Sequence, residues 1–159
     1  EISKEKVRTP YYQLQLTAAQ IMKESLQAIQ KERIAKGIPI DKQIDPNKTG
    51  IIGEEYTRLT TTLGNLTAKR TSANPDFAAL MVKYFKQAGL KSDDVVAVGS
   101  SGSFPGLILA TLSACRAMQL TPLIIYSIGA SEYGATIPEF TFIDMLKKYL
   151  YQSQTLPVS

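Results

Sequence analysis

Twice in this chain an apolar run gives way to a corner of glycine and serine, and that repeat limits the possible folds more than any other feature. The first case is Val95-Val96-Ala97-Val98, followed by Gly99-Ser100-Ser101-Gly102-Ser103-Phe104-Pro105-Gly106. The second is Leu123-Ile124-Ile125-Tyr126, followed by Ser127-Ile128-Gly129-Ala130-Ser131. Short β-branched and aromatic runs favour strands, and Pro105 suits the first turn of a helix. A helix over 104–120, with Leu107, Ile108, Leu112 and Cys115 facing inward, joins the two runs into a βαβ unit. Its right-handed crossover puts both corners at the carboxyl end of a parallel sheet, where ligands bind in such folds.

The flanking sequence extends this pattern. Residues 9–36 predict a long helix, with Thr9 as cap, Pro10 in the first turn, an apolar stripe of Leu14, Ala18, Met22, Leu26 and Ile29, and Gly37 as stop. Residues 38–48 carry Pro39, Asp41, Asp45, Pro46 and Asn47 and read as a connector. Threonines and glycines over 49–65 suggest short extended pieces, and Thr60, Thr61, Thr62, Asn65, Lys69 and Arg70 gather polar donors on a solvated strand edge and loop. Asn74-Pro75-Asp76 opens a helix with Phe77, Leu80, Met81, Tyr84 and Phe85 inward and Gly89 closing it. The run Leu123 to Tyr126 is expected to be a central strand buried on both faces. A last helix over 138–151 carries Phe140, Ile143, Met145, Leu146, Tyr149 and Leu150, and a further strand is expected from Leu156. The expected fold is α/β: a three-layer, mostly parallel sheet of βα repeats, Rossmann-like, behind a long N-terminal helix. The expected division is an N-terminal helical segment, 1–37, and an α/β domain, 38–159, forming part of a longer protein.

Composition narrows the chemistry. With 159 residues and 44% hydrophobic content the chain can bury one ordinary core. Its net charge is +4, but the eighteen lysines and arginines are scattered, which favours a mildly anionic partner over nucleic acid. The absence of histidine removes Ser-His-Asp and Cys-His catalysis and histidine-bound zinc from this polypeptide. The single cysteine, Cys115, lies among Leu112, Ala114 and Ala117 and reads as a small buried hydrophobe. Glu54, Glu55, Glu132 and Glu139 read as solvent-facing, so no metal site is expected. No run of about 18 apolar residues marks a membrane span.

The corners match no common nucleotide motif, and no cofactor is expected. Gly99, Gly102 and Gly106 miss the G-x-G-x-x-G spacing, no Gly-Lys-Ser/Thr occurs, and Ser103 stands where a nucleophile elbow needs its second glycine. What the corners offer is hydroxyls and amides. Gly99, Ser100, Ser101, Gly102, Ser103, Gly129 and Ser131, with Thr61, Asn65 and Arg70, are the candidate ligand-binding residues for a carboxylate or phosphate. Charge-assisted hydrogen bonds of this kind are worth roughly 1.5 to 3 kcal/mol each. A second reading makes Ser101 or Ser103 a nucleophile with Lys69, or a group from another chain, as base. Spacing alone ties no lysine to either serine.

Several longer phrases carry a resemblance. Gly50-Ile51-Ile52-Gly53-Glu54-Glu55-Tyr56-Thr57, Leu59-Thr60-Thr61-Thr62-Leu63-Gly64-Asn65-Leu66-Thr67-Ala68-Lys69-Arg70-Thr71 and Asn74-Pro75-Asp76-Phe77-Ala78 resemble the bacterial poly-γ-glutamate system proteins. So do the corner 98–106 and Tyr126-Ser127-Ile128-Gly129-Ala130-Ser131-Glu132-Tyr133-Gly134-Ala135-Thr136. The likeness covers about residues 50–144. It implies an extracytoplasmic cell-envelope protein, anchored in the membrane through a segment absent from this chain and linked to synthesis or export of the γ-linked glutamate polymer. Expected partners are that polymer or another carboxylate-bearing ligand, other membrane proteins of the same system, and a second copy of the chain. The resemblance brings no catalytic residues with it. It adds to the expectation of a protein that binds or handles a carboxylate-rich polymer or glutamyl precursor. The alternatives are a γ-glutamyl or related acyl hydrolase or transferase with a serine nucleophile, and a structural assembly subunit.

Overall fold

The computed structural model describes the backbone of residues 8–155 and the side chains of 8–150. In chain order the elements are α1 (Tyr12–Ala35), β1 (Thr60–Thr62), α2 (Leu66–Ser72), α3 (Asp76–Gln87), β2 (Val95–Ser101), α4 (Pro105–Ala117), β3 (Thr121–Ser127), β4 (Ala130–Ser131) and α5 (Phe142–Thr155). The result is a mixed α/β fold with its parallel strands in two small sheets, β1 beside β4 and β2 beside β3.

The centre of the core is α4, whose residues from Ile108 to Cys115 are all buried. With the Thr111 and Ser113 hydroxyls bonded back to Leu107 and Leu109 C=O, this stretch has no wet face, and other elements must surround it. On one side α1 supplies Ala18, Met22, Leu26 and Ile29, the stripe expected from spacing. Met22, Leu26 and Ile29 each contribute about 1.5 to 3 kcal/mol when fully buried. Gly37, at φ 72°, ends α1 where Ile38 N–H bonds Arg33 C=O and Gly37 N–H bonds Ile34 C=O. Thr9 is not the cap: its hydroxyl bonds Gln15, and Tyr11 stands at the cap position without a side-chain bond. Asn74 behaves as expected, its Oδ1 accepting from Asp76 N–H at the start of α3, and Gly89 closes that helix at φ 80°. In α3 the deepest residues are Ala78 and Val82, while Tyr84, expected inside, is 51% exposed.

Two elements depart from the sequence reading. Residues 66–72, expected as loop, form α2, because Asn65 Oδ1 accepts the Ala68 N–H and satisfies an otherwise orphaned amide of the first turn. The β3 run is not buried on both faces: Leu123 is 62% and Ile125 79% exposed. Helices cover the side of Val96, Ile124 and Tyr126, with the Tyr126 ring 5.3 Å from that of Phe142, and no described residue lies over the other side. The last helix starts at Phe142, later than expected, where the Asp144 carboxylate accepts from both the Thr141 N–H and hydroxyl. Within it Met145 and Tyr149 point inward, but Ile143 and Leu150 are exposed. The strand expected from Leu156 lies outside the described residues.

Candidate active site

Parallel pairing of β2 with β3 in register, from Val95 against Thr121 to Ser101 against Ser127, brings the two glycine-serine corners to one rim. There the corners bind each other. Gly102 N–H donates to the carbonyls of Ser127 and Gly129, each at 3.1 Å. The Ser131 amide donates to Ser103 Oγ at 3.0 Å, and the Ser103 amide to Ser101 Oγ at 3.4 Å. The Ala130 and Glu132 amides complete the junction with β1 through Leu59 C=O and Thr62 C=O. These bonds use the Gly102, Ser103, Ala130, Ser131 and Glu132 amides that the sequence offered to an anion.

The positive charge of the site is a side chain. Lys69, on α2, is 1% exposed, and its Nζ donates to the Ser103 carbonyl and to Ser131 Oγ, the latter at 2.5 Å. The Phe104 ring closes over the ammonium with its centroid 3.9 Å from Nζ. Among the described residues no carboxylate pairs with Lys69, and burial draws its pKa down to about 8. Ser101 Oγ lies 3.1 Å from Ser103 Oγ, so three serines and one lysine form a connected polar cluster. The β1–β4 pairing holds the two halves together: Thr62 lies opposite Ser131, and Lys69 follows within α2. Glycines allow the close packing. A Cβ on Gly64 would sit 2.3 Å from Glu132 O, and one on Gly106 2.4 Å from Ser72 O. Two residues beyond Ser131, Tyr133 takes φ 61°, an uncommon conformation for an aromatic residue.

The remaining candidates have other work or lie apart. Asn65 caps α2, and Arg70 donates from Nε to Ile44 C=O at 2.8 Å and from Nη2 to Gln43 C=O. The Thr61 hydroxyl bonds Ala130 C=O at 3.2 Å. Gly99 lies on the uncovered face of β2. Ser100 Oγ and Tyr126 Oη are buried without hydrogen-bond partners, and burial raises the Tyr126 pKa to about 12. Cys115 is buried, with its thiol raised to about 11, as its apolar surroundings predict. Among the described residues no group of His, Cys, Asp and Glu could hold a metal ion, and no helix is long and apolar enough to cross a membrane.

Sequence reasoning named Lys69 as a base but not Ser131 as its partner. The two are 62 positions apart, so no local spacing could link them. Phe104 was missed as well; it lines both an approximately 650 Å³ groove with Asn65, Ala68 and Phe77 and an approximately 290 Å³ cleft with Ser100, Ser101 and Ser103. No protein-family profile, curated protein or solved structure matches the chain.

Proposed function

We propose that Lys69 and Ser131 form a serine–lysine dyad and that the chain hydrolyses or transfers an acyl group through Ser131. One observation carries this reading: a buried lysine with no carboxylate partner among the described residues, its pKa near 8, has Nζ at 2.5 Å from a serine oxygen. A lysine so depressed is unprotonated often enough near neutral pH to act as a general base. Neutral Lys69 accepts the Ser131 hydroxyl proton as Oγ bonds to a carbonyl carbon. The carbon–nitrogen bond then breaks as Lys69 passes that proton to the leaving amine. Lys69 next takes a proton from water as the water oxygen bonds to the acyl carbon, and returns it to Ser131 Oγ as the ester bond breaks; an amine takes the place of water in transfer. The Ser103 carbonyl holds Nζ in position, and the Phe104 amide is the available donor for the developing oxyanion. Ser131 and Lys69 are buried and line neither space beside Phe104, so substrate reaches Ser131 when the Phe104 side chain swings aside.

The resemblance to poly-γ-glutamate system proteins supports a γ-glutamyl amide as the acyl donor, an envelope location, and work alongside other membrane proteins of that system. A third layer belongs to the same reading, since parallel sheets are ordinarily covered on both faces and the Val95, Leu123 and Ile125 side is bare.

A biotinylated fluorophosphonate tests the dyad: its phosphorus bonds serine Oγ as fluoride leaves. Mass spectrometry should locate the adduct on Ser131. Ser131→Ala and Lys69→Met should abolish it while Ser101→Ala retains it, and γ-glutamyl oligomers should be shortened by the unmodified protein alone. Absence of a Ser131 adduct at pH 9 in folded protein would refute the assignment.

A further inference from the structure

A separate groove of about 470 Å³ lies between α1, the 47–49 loop and the turn from α2 to α3. Its polar lining includes Lys23, Gln27, Gln30, Asn47, Lys48 and Asn74, and among the described residues no acidic one lines it. Among the described residues neither lysine is in an ion pair, and the Gln27, Gln30 and Asn47 side chains make no hydrogen bond to the protein. Asn74 uses only Oδ1, toward Asp76 N–H, leaving its amide hydrogens available. Buried Leu26 and Ala73 form an apolar floor.

The loop that presents Lys48 is anchored. The Asp45 carboxylate accepts from Thr49 N–H, Thr49 hydroxyl and Gly50 N–H at 2.8 to 3.0 Å, and Arg33 holds Gly50 C=O at 3.1 Å. Gly50 sits so close to α1 that a Cβ there would be 2.8 Å from Gln30 Cα. Lys48 itself has φ 51°, a conformation costly for a lysine unless its surroundings impose it. A rigid mount thus faces one cation toward another across a row of carboxamides.

We infer that this groove binds a carboxylate-bearing peptide: Lys23 and Lys48 pair with its carboxylates, and the carboxamides of Gln27, Gln30, Asn47 and Asn74 bond its backbone amides. Carboxamides both donate and accept, as a peptide backbone requires, whereas a bare inorganic anion would leave their acceptors idle. The inference stands apart from the acyl-transfer reading, because no groove residue belongs to the lysine–serine cluster.

Fluorescence anisotropy of a fluorescein-labelled hexaglutamate peptide at 50 mM salt tests it. The whole chain should bind saturably, Lys23→Gln with Lys48→Gln should weaken binding at least tenfold, and 200 mM salt should weaken it several-fold. Exchanging the exposed Lys83 and Lys91 for glutamine removes the same charge elsewhere and should leave affinity within twofold. No saturable binding up to 1 mM protein, or equal loss from both pairs of substitutions, would overturn the inference, as would complete competition by inorganic phosphate at the peptide's own concentration. Both double variants should melt with wild type and keep the Ser131 adduct, so failure of the groove is distinguishable from failure of the dyad.

Discussion

The rate at which fluorophosphonate modifies Ser131 should follow the deprotonation of Lys69. With the ammonium pKa near 8, the neutral fraction is about 1% at pH 6, half at pH 8 and about 90% at pH 9. The rate should therefore rise with unit slope on a logarithmic plot below pH 7.5, level off above 9, and change about 90-fold between pH 6 and 9. An ordinary lysine near 10.5 would still be climbing steeply at pH 9. Lys69→Arg, which stays protonated at every accessible pH, should lose the pH-dependent component and remain folded if guanidinium fits the space. Stability gives a second measurement on the same group. In the unfolded chain Lys69 releases its proton near 10.5, so between about 8 and 10.5 the unfolded state holds more protons than the folded one. Stability therefore increases with pH across that window, and the unfavourable burial of charge is fully present below it. Urea midpoints of wild type minus those of Lys69→Met isolate this slope from the other titrating groups. A labelling rate independent of pH, or an inflection near 10.5, would refute the argument that burial has made Lys69 a base.

Phe104→Ala should speed modification of Ser131 at pH 9.5 several-fold, because the ring lies 3.9 Å from Nζ, and should move the inflection upward as water reaches the ammonium. Stopped-flow labelling across pH measures both. Arg33→Met should destabilise the fold by about 3 kcal/mol or more in urea denaturation, since the guanidinium bonds three backbone carbonyls, Gly50, Ile52 and Pro39, from a buried position. Gly53→Ala should cost at least about 2 kcal/mol because its Cβ would fall 2.2 Å from Gly134 O, whereas Gly99→Ala, with nothing within 4 Å, should stay within about 0.5 kcal/mol of wild type.

The parts of the fold that repeat locally are the ones the sequence made legible. The α1 stripe from Ala18 to Ile29 spans several turns, and a period sustained that long has few competing explanations. The β2–α4–β3 unit was readable for a similar reason, with Pro105 fixing where the helix begins. By contrast α2 is seven residues long, too short to show a period, and only Asn65 with the Ala68 amide marks its start. The apolar run of β3 suggested burial on both sides because an uninterrupted hydrophobic stretch does not reveal which face has a neighbour. Leu123 and Ile125 show that one face has none among the described residues.

The site divides along the same line. That the two corners share a rim follows from parallel strands, but whether their amides meet a ligand or one another depends on register, which no spacing discloses. Gly102 N–H reaches Gly129 C=O only because Ser101 pairs with Ser127. With those amides satisfied, the positive charge must come from elsewhere, and it comes from Lys69 on a helix that precedes both corners in the chain. Ser131 receives that charge because β4 pairs with β1, a contact made by two-residue and three-residue strands. The proposed dyad thus rests on the shorter of the two described sheets. Its Thr60-to-Ala130 and Thr62-to-Ser131 register is therefore the feature that any variant impairing Ser131 without touching Lys69 should be found to disturb.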